Sequence, residues 1–191
     1  MGKMNKGEYG YLQKYRKEEL KKTILLGLVI LTGALICILV LKTTKHIIVL
    51  IPILASLPFA KSLINWFMVA KYEFVSKEDY DALNRLLQED EKLLSELTFV
   101  TNESMFYLPL IYIFENQIYF IYEKGLTKLT EEQIVREITE LMKRTGYQCN
   151  VVPCNDYKEL LKKLEQRTRK NEKDYTKMVN ALSQRFLDQS V

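Results

Sequence analysis

The chain has 191 residues, with 28 Lys or Arg against 24 Asp or Glu and a net charge of +4, which leaves room for one soluble domain or for a membrane anchor and a domain of about 120 residues. The charge is divided: residues 1–72 hold 11 bases against 3 acids, and residues 73–191 hold 17 against 21. Bases that flank apolar runs are more simply topology and lipid-headgroup signals than a nucleic-acid surface, and a single histidine, His46, leaves no ligand set for a Cys/His zinc site or a histidine-based triad.

The first segment, Tyr9-Gly10-Tyr11-Leu12-Gln13-Lys14-Tyr15-Arg16, mixes tyrosines with bases. Phenol rings and lysines both favour the headgroup region of a bilayer, so Tyr9, Tyr11 and Tyr15 are candidates for a membrane-interface anchor. Residues 23–41 are uncharged, and as a helix they would rise roughly 28 Å, close to the thickness of the hydrocarbon core. The run is longer than the apolar core of a removable signal, and a second run follows it, so a retained transmembrane helix is predicted. Ile36 before Cys37, and Lys6 where the myristoylation pattern asks for Ser or Thr, argue against a lipid anchor.

Residues 47–70 form the second predicted span, interrupted by Pro52, Pro58 and Lys61. A lysine inside a span is by default a functional-site hypothesis. Lys61 lies in the later half of its run, one turn after Pro58, whose ring removes a backbone donor and crowds the preceding carbonyl. A bent, shallow segment would let the amine snorkel to the headgroups, with Trp66 as a further interface candidate; a polar contact inside a helix bundle is the alternative. Seven bases precede the first span, from Lys3 to Lys22, whereas the connection offers Lys42, Lys45 and His46. The positive-inside rule then places the N-terminus in the cytoplasm, and two spans return the C-terminal part to the same side. In that reducing compartment Cys149 and Cys154 are expected to be free thiols.

Beyond Tyr72 the pattern is that of a folded domain. Ser76-Lys77-Glu78-Asp79 reads as a helix start, and leucines at helical spacing predict a helix over about 77–94. Three β-like runs follow, 97–101, 105–114 and 118–122, the last two joined by Glu115-Asn116-Gln117 as a hairpin. Pro109 suggests an edge position or a bulge. Thr130-Glu131-Glu132-Gln133 is a capping box that opens a helix closed by Gly146; a strand over 148–153 comes next, and Asn155 or Asp156 caps a long basic helix from about 157. Its middle, 166–174, lacks apolar anchors and is either an exposed stretch or a joint. The predicted fold is a membrane-anchored α+β protein: a basic N-terminal segment and a two-helix transmembrane hairpin over 1–72, then an α-β-β-β-α-β-α domain with one mixed sheet over 73–191.

The order helix, three strands, helix, strand resembles the core of restriction-endonuclease-like nucleases. That resemblance implies an acid on the second strand and an acid-x-Lys pair on the third, because metal-activated water needs carboxylates and a nearby cation. Residues 105–114 contain no acid, and Glu123 stands directly beside Lys124. There is no Gly-rich phosphate loop and no Gly-x-Ser-x-Gly. No catalytic, cofactor-binding or metal-ligating residue is assigned, and a membrane-tethered enzyme or nucleic-acid-binding protein with a degenerate core of this kind stands as the alternative. The basic helix supplies Lys162, Lys163, Arg167, Arg169 and Lys170 as candidates for contact with an anionic leaflet or a protein partner. Aromatics are not interleaved with them, which argues against single-stranded nucleic acid.

Residues Asn5-Lys6-Gly7-Glu8-Tyr9-Gly10-Tyr11, the paired spans and Leu57-Pro58-Phe59-Ala60-Lys61-Ser62-Leu63 together resemble a family of uncharacterised two-span bacterial membrane proteins with a small cytoplasmic α+β domain. The resemblance implies that architecture and brings no activity or catalytic residue. The expectation is a non-enzymatic binding or regulatory domain at the inner face of the membrane, with the bilayer and a protein partner or a second copy as its contacts.

Overall fold

Residues 5–38, 50–101, 104–167 and 175–190 are described in a computed structural model. The chain divides into two compact units, residues 13–71 and the chain up to Leu12 together with 72–191. The first unit consists of most of α1 (Tyr11–Ile36) and all of α2 (Leu50–Ala70). Of the first predicted span, residues 39–41 lie outside the described residues, as do the connection through Lys42, Lys45 and His46 and residues 47–49 of the second. Among the described residues one segment, Pro52–Ala70, is long and apolar enough to cross a membrane.

In the second unit α3 (Lys77–Leu86) opens at Ser76, whose hydroxyl accepts the Asp79 N–H at 3.1 Å. The helix is shorter than the spacing predicts, and Lys92 already begins β1 (Lys92–Val100). Leu93 and Leu94 give the reason: Leu93 packs with Leu110 and Tyr112 on one side of the sheet and Leu94 with Leu97 and Ile111 on the other. Neighbouring side chains buried on opposite faces require the two-residue period of a strand.

β1 pairs antiparallel with β2 (Met105–Phe114), β2 pairs antiparallel with β3 (Gln117–Ile121), and β3 pairs parallel with β4 (Asn150–Cys154), in the spatial order β1-β2-β3-β4. The sheet is mixed, as predicted. A hairpin turn at Glu115-Asn116 joins β2 to β3, with Glu115 at φ 49°. The crossover to the parallel strand is α4 (Glu131–Lys143), which begins with the predicted capping box: Thr130 Oγ1 accepts the Gln133 N–H, and the Gln133 side chain accepts the Thr130 N–H at 2.8 Å.

Of the two alternatives for residues 166–174, the joint agrees with the structure and the unbroken long helix does not: α5 (Tyr157–Glu165) and α6 (Thr176–Gln189) are separate helices. Burial explains the break. Leu160 and Leu164 of α5 join Leu83 of α3 on one face of the sheet, while Val179, Leu182 and Phe186 of α6 join Ile134, Ile138 and Met142 of α4 on the other. One straight helix has one apolar stripe and cannot cover both faces. The sheet is thus sandwiched, with helices on each side.

Pro109 is in neither of the places predicted for it. β2 is an inner strand, and the β1–β2 register keeps the same offset on both sides of Pro109, skipping only the Glu96–Pro109 position. Glu96 takes φ 56°, and proline offers no N–H for a ladder bond. Leu94 and Leu97 in β1 and Leu108 and Ile111 in β2 nevertheless share one cluster although each pair is three residues apart. Both strands therefore shift their in–out alternation at the same level, which is why residues 105–114 do not alternate cleanly. The freed Glu96 side chain is used locally: its carboxylate accepts the N–H of Leu12, in the first turn of α1, at 2.8 Å.

Candidate functional site

In the helix pair, described over residues 13–38 and 50–71, a buried polar cluster lies next to exposed apolar surface. Four contacts set the helices antiparallel. Arg16 Nη1 donates to the Ala70 carbonyl at 3.4 Å, Ser62 meets Glu19 and Thr23, Gly27 faces Phe59, and Gly33 faces Pro52. At Gly27 a Cβ would stand 3.3 Å from the Phe59 ring and at Gly33 3.4 Å from the Pro52 ring, so glycine at these positions lets the helices approach closely. Outward, Leu25, Leu28 and Leu31 of α1 and Leu54, Leu57, Ile64 and Phe67 of α2 are all exposed, Leu57 at 73% and Phe67 at 71%.

The polar cluster sits where the charged part of α1 gives way to its uncharged run, with Ile64 and Phe67 beyond it on the charged side. Glu19 is buried, and its carboxylate accepts from Lys22 Nζ at 2.6 Å and from the Ser62 hydroxyl at 2.9 Å. Thr23 donates to the Glu19 carbonyl at 2.8 Å, with its hydroxyl 3.1 Å from Ser62 Oγ. A buried carboxylate is tolerable only when paired and hydrogen-bonded, and this one is held by both helices. Beside it opens a cavity of about 460 Å³ reached by Lys22, Lys61 and Asn65, with Leu25, Leu26 and Pro58 on its apolar side. Compared with models of protein families, with curated proteins and with solved structures, the chain matches none. What the site does must therefore be read from its own residues.

Lys61 is exposed and level with Lys22, because its neighbour Ser62 bonds Glu19 and Thr23. Lys22 is the last charge before the uncharged run of α1. The depth of Lys61 is therefore the depth at which the first helix changes from charged to apolar. Tyr15 and Trp66 are partly buried on α1 and α2. Tyr9 belongs to the other unit, where its ring lies 5.0 Å from that of Tyr80; Tyr11, in the same unit, is partly buried at the start of α1.

Of the basic candidates further on, Lys162 and Lys163 are exposed on α5. Arg167 is engaged within its unit: Nε bonds Glu91 Oε1 at 2.8 Å, Nη1 donates to the Leu164 carbonyl at 2.7 Å, and Nη2 donates to that of Leu86. Arg169 and Lys170 lie outside the described residues. The sheet side offers little reactive chemistry. Burial pushes the Cys149 and Cys154 thiols up to about 11, and the Cys154 side also carries the charge of Glu159, so neither is a thiolate near neutral pH. Burial likewise raises Tyr72, stacked 4.4 Å from Tyr107, to about 12, with Glu123 adding to the effect. Glu123 and Lys124 follow β3 with Lys124 donating to Asn155 Oδ1 at 3.1 Å. Among the described residues no group of three or more His, Cys, Asp or Glu is placed to hold a metal ion.

Sequence reading counted Glu19 only as a charge. The signal for it is the spacing Glu19, Lys22, Thr23 on one helix face and Lys61, Ser62, Asn65 on another, two polar faces at the start of one span and in the later half of the next.

Proposed function

We propose that this chain is an integral membrane protein. Its α1 and α2 form the transmembrane hairpin, both termini are cytoplasmic, and residues 72–191 form a non-enzymatic binding or regulatory domain at the inner face. The observation that carries this is the sorting of the helix pair. Leu25, Leu28 and Leu31 of α1 and Leu54 and Leu57 of α2 are exposed over the stretch where neither helix carries a charge, and the charges begin at the level of Lys22 and Lys61, with Ile64 and Phe67 exposed on the charged side of that level. Exposed apolar surface of this extent has a physical reason when lipid, not water, surrounds it. Uncharged residues 23–38 alone rise roughly 24 Å as a helix, and the run continues to Leu41.

For the domain, α5 supports the binding role. Its inner stripe, Leu160 and Leu164, is buried against the sheet, and Lys162 and Lys163 face outward as a compact basic pair. Such a pair suits an acidic surface of a protein partner or a second copy of the chain. The test is recovery of the intact protein in mild detergent, with Lys162 and Lys163 both changed to Glu in a parallel sample. One defined protein, or a second copy, is expected to accompany the wild type and to be lost from the variant. Repeated recovery of the wild-type chain as a lone monomer would contradict the binding role.

A further inference from the structure

We infer that the cavity between α1 and α2 is a binding site for the headgroup phosphate of an anionic phospholipid. This rests on the membrane reading above and names a ligand for it.

The cavity has two layers. Lys22 on α1 and Lys61 on α2 form one, together with Glu19, Ser62 and, one turn along α2, Asn65, whose side chain bonds Glu19. Leu25 and Leu26 follow Lys22 by one turn, and Pro58 precedes Lys61 by one turn. Because the helices are antiparallel, all three apolar residues lie on the same side of the lysines, displaced by about 5.4 Å, one helical pitch. Ammonium groups beside methyl and methylene groups at that offset match the boundary where a lipid phosphate gives way to glycerol and acyl chain.

The charge balance selects an anion. Glu19 already neutralises Lys22 at 2.6 Å, and its other oxygen is taken by Ser62 at 2.9 Å. Glu19 lines the cavity, but both its oxygens are taken, and it acts as a positioning residue that holds the Lys22 ammonium with N–H groups to spare. Lys61 makes no hydrogen bond or ion pair among the described residues. The cavity thus offers one uncompensated positive charge, which complements the single negative charge of a phosphodiester. A zwitterionic headgroup brings its own cation and gains less. The snorkelling read for Lys61 from the sequence becomes a directed contact.

The test uses the full-length protein extracted in mild detergent, with lipid adducts measured by native mass spectrometry after addition of phosphatidylglycerol or phosphatidylcholine. Phosphatidylglycerol is expected to be retained about fivefold more strongly, the preference that one basic residue near the headgroups provides. Lys61→Gln is expected to abolish that preference and Lys61→Arg to keep it. Lys21→Gln removes the same charge at the position next to Lys22, outside the lining of the cavity, and is expected to leave the preference intact. Equal retention of both lipids by the wild type, or an equal loss in Lys21→Gln and Lys61→Gln, would overturn the site in favour of diffuse surface charge. Inorganic phosphate at the same concentration lacks acyl chains for Leu25, Leu26 and Pro58 to meet; displacement of the lipid by it would overturn the lipid assignment. Carbonate extraction of the same membranes separates the two levels of the argument. Wild-type protein released by carbonate contradicts the membrane reading, whereas protein that stays in the pellet without a lipid preference contradicts the headgroup site alone.

Discussion

Arg167→Ala is expected to destabilise the α+β unit by about 3–5 kcal/mol, the range for removing one partner of a buried ion pair. Its partner Glu91 has a fully buried side chain, and the Arg167 side chain is 14% exposed. The Glu91 carboxylate would keep the Gln88 N–H, at 3.1 Å, but no cation among the described residues, and the carbonyls of Leu164 and Leu86 would each lose a donor. These groups sit where α3 ends, β1 begins and α5 ends, so one side chain joins three elements. Urea unfolding of the full-length protein followed by far-ultraviolet circular dichroism measures the change. Changing Glu91 and Arg167 together to leucine should cost much less than Arg167→Ala, because no charge is then stranded. A loss below about 0.5 kcal/mol for Arg167→Ala, the ordinary size for a surface position, would place this arginine back among the residues available for a ligand.

Phe186→Ala is expected to cost a further large amount, about 3–5 kcal/mol, as for other fully buried aromatic rings cut to a methyl group. Phe186 is wholly buried, with its ring edge-on to Phe99 at 5.9 Å. The variant tests the assignment of α6 to the sheet face opposite α5. If residues 157–189 were one exposed helix, position 186 would be solvated and the change would cost no more than about 0.5 kcal/mol. Phe186→Leu should lie between, since most of the apolar volume is kept.

How far the fold could be read from the residues depended on whether the deciding contacts were local. The bounds of β2, the capping box at Thr130 and Gln133 and the cap at Asp156 all rest on signals within a few residues, and the structure agrees with them. The end of α3 was not legible, because Leu86, Leu87, Leu93, Leu94 and Leu97 suit a helical stripe as well as a strand buried on both faces. Only the pairing of Lys92–Leu94 with Ile111–Ile113 decides between them. The lack of apolar anchors over 166–174 allowed a joint there, but nothing local says that Leu164 and Val179 are to be buried on opposite sides of a sheet. At Pro109 a proline reads as an edge because its missing donor is visible, whereas the positive φ of Glu96 across the ladder, which accommodates it, is not.

The candidate site divides in the same way. Lys61 drew notice as a charge in an apolar run, and Ser62 and Asn65 are visibly on its side of the helix. The groups that set its depth, Glu19 and Thr23, lie 43 and 39 residues away in the chain from Ser62. No periodicity links them, and only the packing of α1 on α2 does.

The central claim is that two helices carry the chain across a membrane and back, leaving the α+β domain in the cytoplasm. Alkaline phosphatase, active only outside the cytoplasm, fused within residues 42–46 and separately after Val191, tests it most directly, with a cytoplasmically fluorescent reporter at the same positions as the complement. Phosphatase activity is predicted at 42–46 and fluorescence at the C-terminus. Phosphatase activity after Val191, or its absence at 42–46, would contradict the account.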